Sequence, residues 1–104
     1  MSELTAYLAA LALTLAVELP MFVALAGLPS RRQAALDALL ANLLTHPMAV
    51  FCSWELGCSF GLIELGVWAT EACIYARLSG LSWLRAGLIS ALVNGITAAL
   101  SFTL

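Results

Sequence analysis

Six polar side chains in an otherwise apolar chain carry whatever chemistry this sequence has: Glu18, Asn42, His46, Glu64, Glu71 and Asn94. Carboxylates hold protons or cations, an imidazole can relay protons or ligate a metal, and carboxamides orient both. Glu18, Leu19 and Pro20 are consecutive. Asn42, Thr45, His46 and Pro47 form an Asn-x-x-Thr-His-Pro run, and Glu64, Glu71 and Tyr75 are spaced by seven and four residues. Asn42 and His46 are one helical turn apart and point the same way on a helix. Glu64 and Glu71 are two turns apart, about 10 Å along the axis. That separation is too great for one ion and suits successive stations on a path.

All six lie in apolar stretches, where a charge at the centre of a bilayer costs at least about 2.5–3.5 kcal/mol. The 104-residue chain is 63% hydrophobic and 10% charged, with a mean hydropathy of +1.05. A soluble domain of this size would leave much of that apolar surface exposed, so lipid is the expected solvent. There is no lysine and the net charge is −2, which gives nucleic acid nothing to bind. The start, Met-Ser-Glu, lacks the positive region of a signal peptide, so the first apolar segment is expected to remain as a spanning helix.

The elements that must position the polar residues are four apolar segments, at about 4–26, 34–52, 59–78 and 83–102. Each is roughly as long as a helix needs to cross a hydrocarbon core about 30 Å thick. Gly27 to Arg32, Cys52 to Cys58 and Ser79-Gly80 mark the turns. The fold class expected is all-α, one transmembrane domain over 1–104, an integral membrane four-helix up-down bundle. Arg31 and Arg32 fall in the first turn, and Arg77 and Arg85 flank the third. In a four-span chain these lie on one side, which the positive-inside rule makes cytoplasmic. Both termini are then on the non-cytoplasmic side, with Trp54 and Trp83 as interfacial anchors.

Each segment also carries a polar or small-residue stripe at helical spacing. On the first it passes through Tyr7, Thr14 and Glu18, and on the second through Asn42, His46 and Ser53, with Thr45 beside it. On the third it passes through Gly61, Glu64, Trp68, Glu71 and Tyr75, and on the fourth through Gly87, Ser90, Asn94, Thr97 and Ser101. Lipid cannot satisfy such groups, so the stripes should face one another. Pro20 and Pro47 free the carbonyls of Ala16 and Leu43 near the same depth.

Bland roles compete with chemical ones. Asn94, Ser90 and Thr97 read as interhelical glue, and Tyr75 and Trp68 as packing residues. Asp37 and Glu55 sit near interfaces and are expected to be solvated. Cys73 reads as a small buried hydrophobe, and Cys52 and Cys58 share a side where a disulfide could form. His46 has four open readings: a hydrogen bond to a glutamate, a metal ligand, a proton relay, or an axial ligand to a pigment or haem. A mononuclear metal site would draw on His46, Glu18 and Glu71, with Asn42 nearby. The Glu-x-x-His pairs of di-iron bundles and His-Glu-x-x-His are both absent. No recognisable nucleophile motif occurs, so the balance is against an enzyme.

The functional expectation is a small polytopic membrane protein that handles a proton, metal ion or small cationic solute through an intramembrane Glu/His/Asn layer. Glu18, Asn42, His46, Glu71 and Asn94 would form the binding layer, and Glu64 would stand on the outer approach. The alternative is an accessory or assembly subunit of a larger membrane complex, with the layer used for helix packing or for binding a partner or pigment. A transporter this narrow would be expected to work as a homodimer in the lipid bilayer.

In size, span count and a mid-membrane glutamate on the first helix, the chain resembles the small multidrug-resistance transporters. That likeness is architectural, because their third-helix pattern of glycines, tyrosine and tryptophan is not reproduced around Gly61–Tyr75. The Glu-Leu-Pro, Asn-x-x-Thr-His-Pro and Glu64–Glu71–Tyr75 combination is similar to a pattern in small four-helix bacterial membrane proteins. It covers three of the four segments. The resemblance implies a bacterial cytoplasmic membrane location and no particular activity.

Overall fold

The computed structural model describes residues 2–103. Within them the chain folds as α1 (Glu3–Ala26), α2 (Arg31–Trp54), α3 (Phe60–Leu78) and α4 (Trp83–Thr103). Serines start the helices. Ser2, Ser30 and Ser59 are N-caps whose hydroxyls accept from the backbone N–H of Thr5, Gln33 and Leu62. Ser82 accepts from the N–H of Arg85 at 3.2 Å at the start of α4. Each bond satisfies one of the donors that a helix N-terminus leaves open. α1 ends at Gly27, whose φ of 63° reverses the chain in a conformation that favours glycine.

α2 starts earlier and ends later than the expected 34–52. The Ser30 cap draws Arg31 and Arg32 into its first turn, so they continue the helix rather than the loop. Pro20 and Pro47 are accommodated inside helices that run on through them, and both rings are exposed.

α1, α2 and α4 are each long and apolar enough to cross a membrane. α3 has 19 residues and carries Glu64, Glu71 and Arg77. The molecule is 40 Å long and 22 Å across, close to the thickness of a bilayer with its headgroup layers. Leucines such as Leu40, Leu65, Leu84 and Leu88 cover its exterior. This is a membrane protein of the all-α class, and its surface is apolar because its surroundings are.

α1 packs against α2 and α4, and α3 packs against the same two. α1 and α3 therefore stand across from each other, with their glutamates turned inward. Ala26, Ala34, Ala38, Ala41 and Ala86 fill one end of the interior around Phe22 and Tyr75. Small side chains let the backbones approach closely where no hydrophobic effect draws helices together. Arg85 ties that end, its Nη2 donating to the carbonyls of Ala26 at 2.9 Å and Leu25 at 3.2 Å.

Two expectations are corrected here. Asp37 is fully buried rather than solvated. It lies on the inner face of α2 with Ala34, Ala38 and Ala41, and it accepts from Gln33 Nε2 and Ser79 Oγ, both at 2.7 Å. Cys73 is exposed rather than buried, because Ala72 and Tyr75 take the inner side of α3.

Candidate intramembrane carboxylate site

Glu71 sits on the inward face of α3 with 0% exposure, and Glu18 on that of α1 with 1%. Glu71 is fully engaged. Thr45 of α2 donates its hydroxyl to Oε2 at 2.7 Å, and Asn94 of α4 donates Nδ2 to Oε1 at 2.9 Å. Asn94 is itself held by Ser90, whose backbone carbonyl and hydroxyl lie 2.9 and 3.2 Å from Nδ2. Ser90 in turn donates to the carbonyl of Trp68 at 3.0 Å. One carboxylate thus gathers groups from α2, α3 and α4.

Glu18 completes the layer from α1. Its carboxyl faces that of Glu71 across the interior, with Asn42 and Thr97 beside it. Its Oε1 is buried and has no hydrogen-bond partner. Asn42 gives its Nδ2 to the carbonyl of Ala38 at 2.8 Å, one turn back on its own helix. Two adjacent carboxylates in a low-dielectric interior repel strongly, so such a pair must share a proton or meet a cation. Of the arginines at the other end, Arg85 is bound to the end of α1 and Arg77 lies over the Trp83 ring, 5.9 Å from its centroid, while Arg31 and Arg32 are exposed in the first turn of α2.

The pair lines the inner end of a cavity of about 440 Å³. Its walls follow α1 from Ala6 to Glu18, α2 from Asn42 to Trp54, α3 from Phe60 to Glu71 and α4 from Asn94 to Ser101. It extends from the end that carries Tyr7, Ser53, Trp54 and Ser101 to Glu18 and Glu71 at mid-helix depth. Glu64 is half-buried on its wall, between the mouth and Glu71.

His46 also lines the cavity but stands apart from the glutamate pair. Its Nε2 lies 3.3 Å from the carbonyl of Tyr7, and its ring tilts against the Tyr7 ring at 4.7 Å between centroids. A carbonyl only accepts, so Nε2 carries the hydrogen in that contact. Among the described residues no group of three His, Cys, Asp or Glu side chains is placed to hold a metal ion. The structure does not gather His46, Glu18 and Glu71 into a metal-binding set.

Four of the five expected binding residues converge: Glu18, Asn42, Glu71 and Asn94. Thr45, which the sequence set beside the stripe through Asn42 and His46, bonds Glu71, and His46 meets the Tyr7 carbonyl instead of a glutamate. Successive residues on a helix are about 100° apart, so the inward arc centres on Ala38, Ala41 and Thr45 and leaves His46 at its edge. Asp37 belongs to the same arc, one turn before Ala41, and its spacing from Thr45 was the signal that could have found it. No family model, curated protein or solved structure matches this chain.

Proposed function

We propose that this is a small membrane transport protein, and that the Glu18–Glu71 pair binds a proton or a small cation at the inner end of the cavity. The observation that carries this reading is Glu18 Oε1, a buried acceptor without a partner beside a second carboxyl group at the end of an open cavity. A buried polar atom left unpaired costs about 1–3 kcal/mol. Here a proton or cation arriving through the cavity would recover that cost. Glu64 and His46 line the approach.

The frame for this is an up-down bundle in a bacterial cytoplasmic membrane. The termini and the cavity mouth are outside, and the Arg31–Arg32 and Arg77–Arg85 end is cytoplasmic. Arginine placement supports that orientation. One protomer offers a narrow path, so two copies side by side are the proposed working unit. The likeness to small multidrug-resistance transporters supports the architecture of this reading only.

The competing reading is an accessory subunit whose polar layer locks the bundle. It draws on Glu71, whose two oxygens are satisfied from within the chain. Reconstitution into liposomes separates the two. Uptake of protons, and of tetramethylammonium as a small cation, is measured for the wild type, Glu18→Gln and Glu71→Gln. Transport predicts that each variant loses about tenfold or more of the flux, the scale of losing a proton-transfer group. Equal traces from all three proteins and from empty liposomes would leave the packing role.

A further inference from the structure

Beyond the inner end of the cavity lies a feature that the carboxylate pair does not use. Phe22 is one turn from Glu18 on α1, and Tyr75 is one turn from Glu71 on α3. Their rings stack at 4.0 Å with an interplanar angle of 22°, and both side chains are fully buried. The stack therefore forms the floor beneath the pair. Ala26, Ala38, Leu81 and Ala86 pack behind it.

The Tyr75 hydroxyl is buried in that floor without a hydrogen-bond partner. Tyr75 has the apolar bulk of phenylalanine but adds an oxygen that here bonds to nothing, an arrangement that packing alone does not reward. One further turn on, at the C-cap of α3, is Ser79, which donates to Asp37 at 2.7 Å. Glu71, Tyr75 and Ser79 thus form a ladder with rungs about 6 Å apart. Asp37 is as deeply buried as Glu71, and neither of its partners, Gln33 and Ser79, is a cation. The charged or titratable groups around Tyr75 are Glu18 from α1, Asp37 from α2 and Glu71 from α3. α4 presents Ala86, Ile89 and Val93 to this core, and its Arg85 is held by the end of α1.

We propose that Tyr75 and Asp37 form the inner half of the path: the Tyr75 hydroxyl passes protons between the Glu18–Glu71 pair and the Asp37 carboxylate, and the Phe22–Tyr75 stack closes this route in the conformation described. The proposal rests on the carboxylate pair being a proton-binding site. In the transfer step the Tyr75 O–H bond breaks as its proton goes to an Asp37 oxygen. The same phenol oxygen takes the proton of the protonated Glu71 carboxyl. Tyr75 begins and ends neutral, Glu71 becomes the carboxylate and Asp37 the acid, and no electrons are exchanged. Because the hydroxyl is unpartnered on both sides, the step requires the ring to shift off Phe22. Opening the floor and connecting the relay are then one movement.

The test uses the full chain in liposomes that enclose a pH-sensitive dye, with a potassium diffusion potential as the driving force. Protonation of the buried carboxyls is followed separately by the infrared carbonyl stretch of the same samples. Tyr75→Phe keeps the ring stack and removes only the hydroxyl, and Asp37→Asn keeps the shape and both neighbours. Both are expected to cut proton flux about tenfold or more, while the carbonyl band that Glu71→Gln removes remains in each. Wild-type flux in Tyr75→Phe and Asp37→Asn, with loss only in Glu71→Gln, would overturn the relay and leave the carboxylate site standing. A wild type that moves no protons and lacks a carbonyl band sensitive to Glu71→Gln would overturn both. Should Asp37→Asn fail to fold, Tyr75→Phe decides by itself, since wild-type flux without the hydroxyl overturns the relay.

Discussion

The Thr45 hydroxyl donates to Glu71 Oε2 at 2.7 Å and joins the middle of α2 to the middle of α3 through a bond between two buried side chains. Bonds of this kind between transmembrane helices average about 0.6 kcal/mol and reach about 1.7. A fully buried carboxyl acceptor belongs at the upper end. Thr45→Val preserves shape and removes the donor, and it should cost about 1–2 kcal/mol. Unfolding in mixed detergent micelles measures it. In a double-mutant cycle with Glu71→Gln, the two losses should fall short of adding.

Phe22 should be the costliest single truncation. It is fully buried and stacked on Tyr75. Phe22→Ala removes the ring and leaves a void that alanine neighbours cannot fill, at about 3–5 kcal/mol. The same void would connect the cavity to the alanine-lined end. A cysteine placed at Ala38 should therefore react with a small water-soluble thiol reagent in the Phe22→Ala background and remain protected with Phe22 intact.

The end of α1 depends on Arg85 and Gly27 together. A Cβ built at Gly27 would stand 3.1 Å from Arg85 Nη2, and the residue has a positive φ of 63°. Gly27→Ala thus strains the backbone by about 1–2 kcal/mol and displaces the guanidinium from the Ala26 carbonyl. Arg85→Ala should lose about 1 kcal/mol by uncovering the negative end of the helix dipole, and Arg85→Lys should recover part of it. Combined with Gly27→Ala, Arg85→Ala should add little, which thermal unfolding in detergent will show.

Cys73 offers a test of surroundings. It lies on the exposed outer side of α3, about a turn and a half from the end at Leu78. In a bilayer that surface meets lipid, which a charged reagent does not enter. A charged maleimide should leave Cys73 unmodified in intact membranes and label it after denaturation. Rapid labelling in intact membranes would place this face of α3 against water or a hydrated partner.

Composition and local chemistry were enough to reveal the helices. Long apolar runs require backbone satisfaction within each segment, and Ser30 and Ser59 cap whatever helix follows them. Glu18, Asn42, Glu71 and Asn94 could also be placed at one depth, because helical rise converts sequence position into depth. Rotation about each axis was less legible. In a soluble helix the apolar stripe marks the inward face, but here lipid and core are both apolar, so hydropathy barely distinguishes them. A shift of one residue along α2 was therefore enough to favour His46 over Thr45, while depth alone left Asp37 in solvent and residue type alone buried Cys73. Only the packing of α1 and α3 against α2 and α4 decided those faces. It also brought Glu18 to Glu71 and laid Phe22 on Tyr75, contacts between residues more than fifty positions apart that no local spacing encodes.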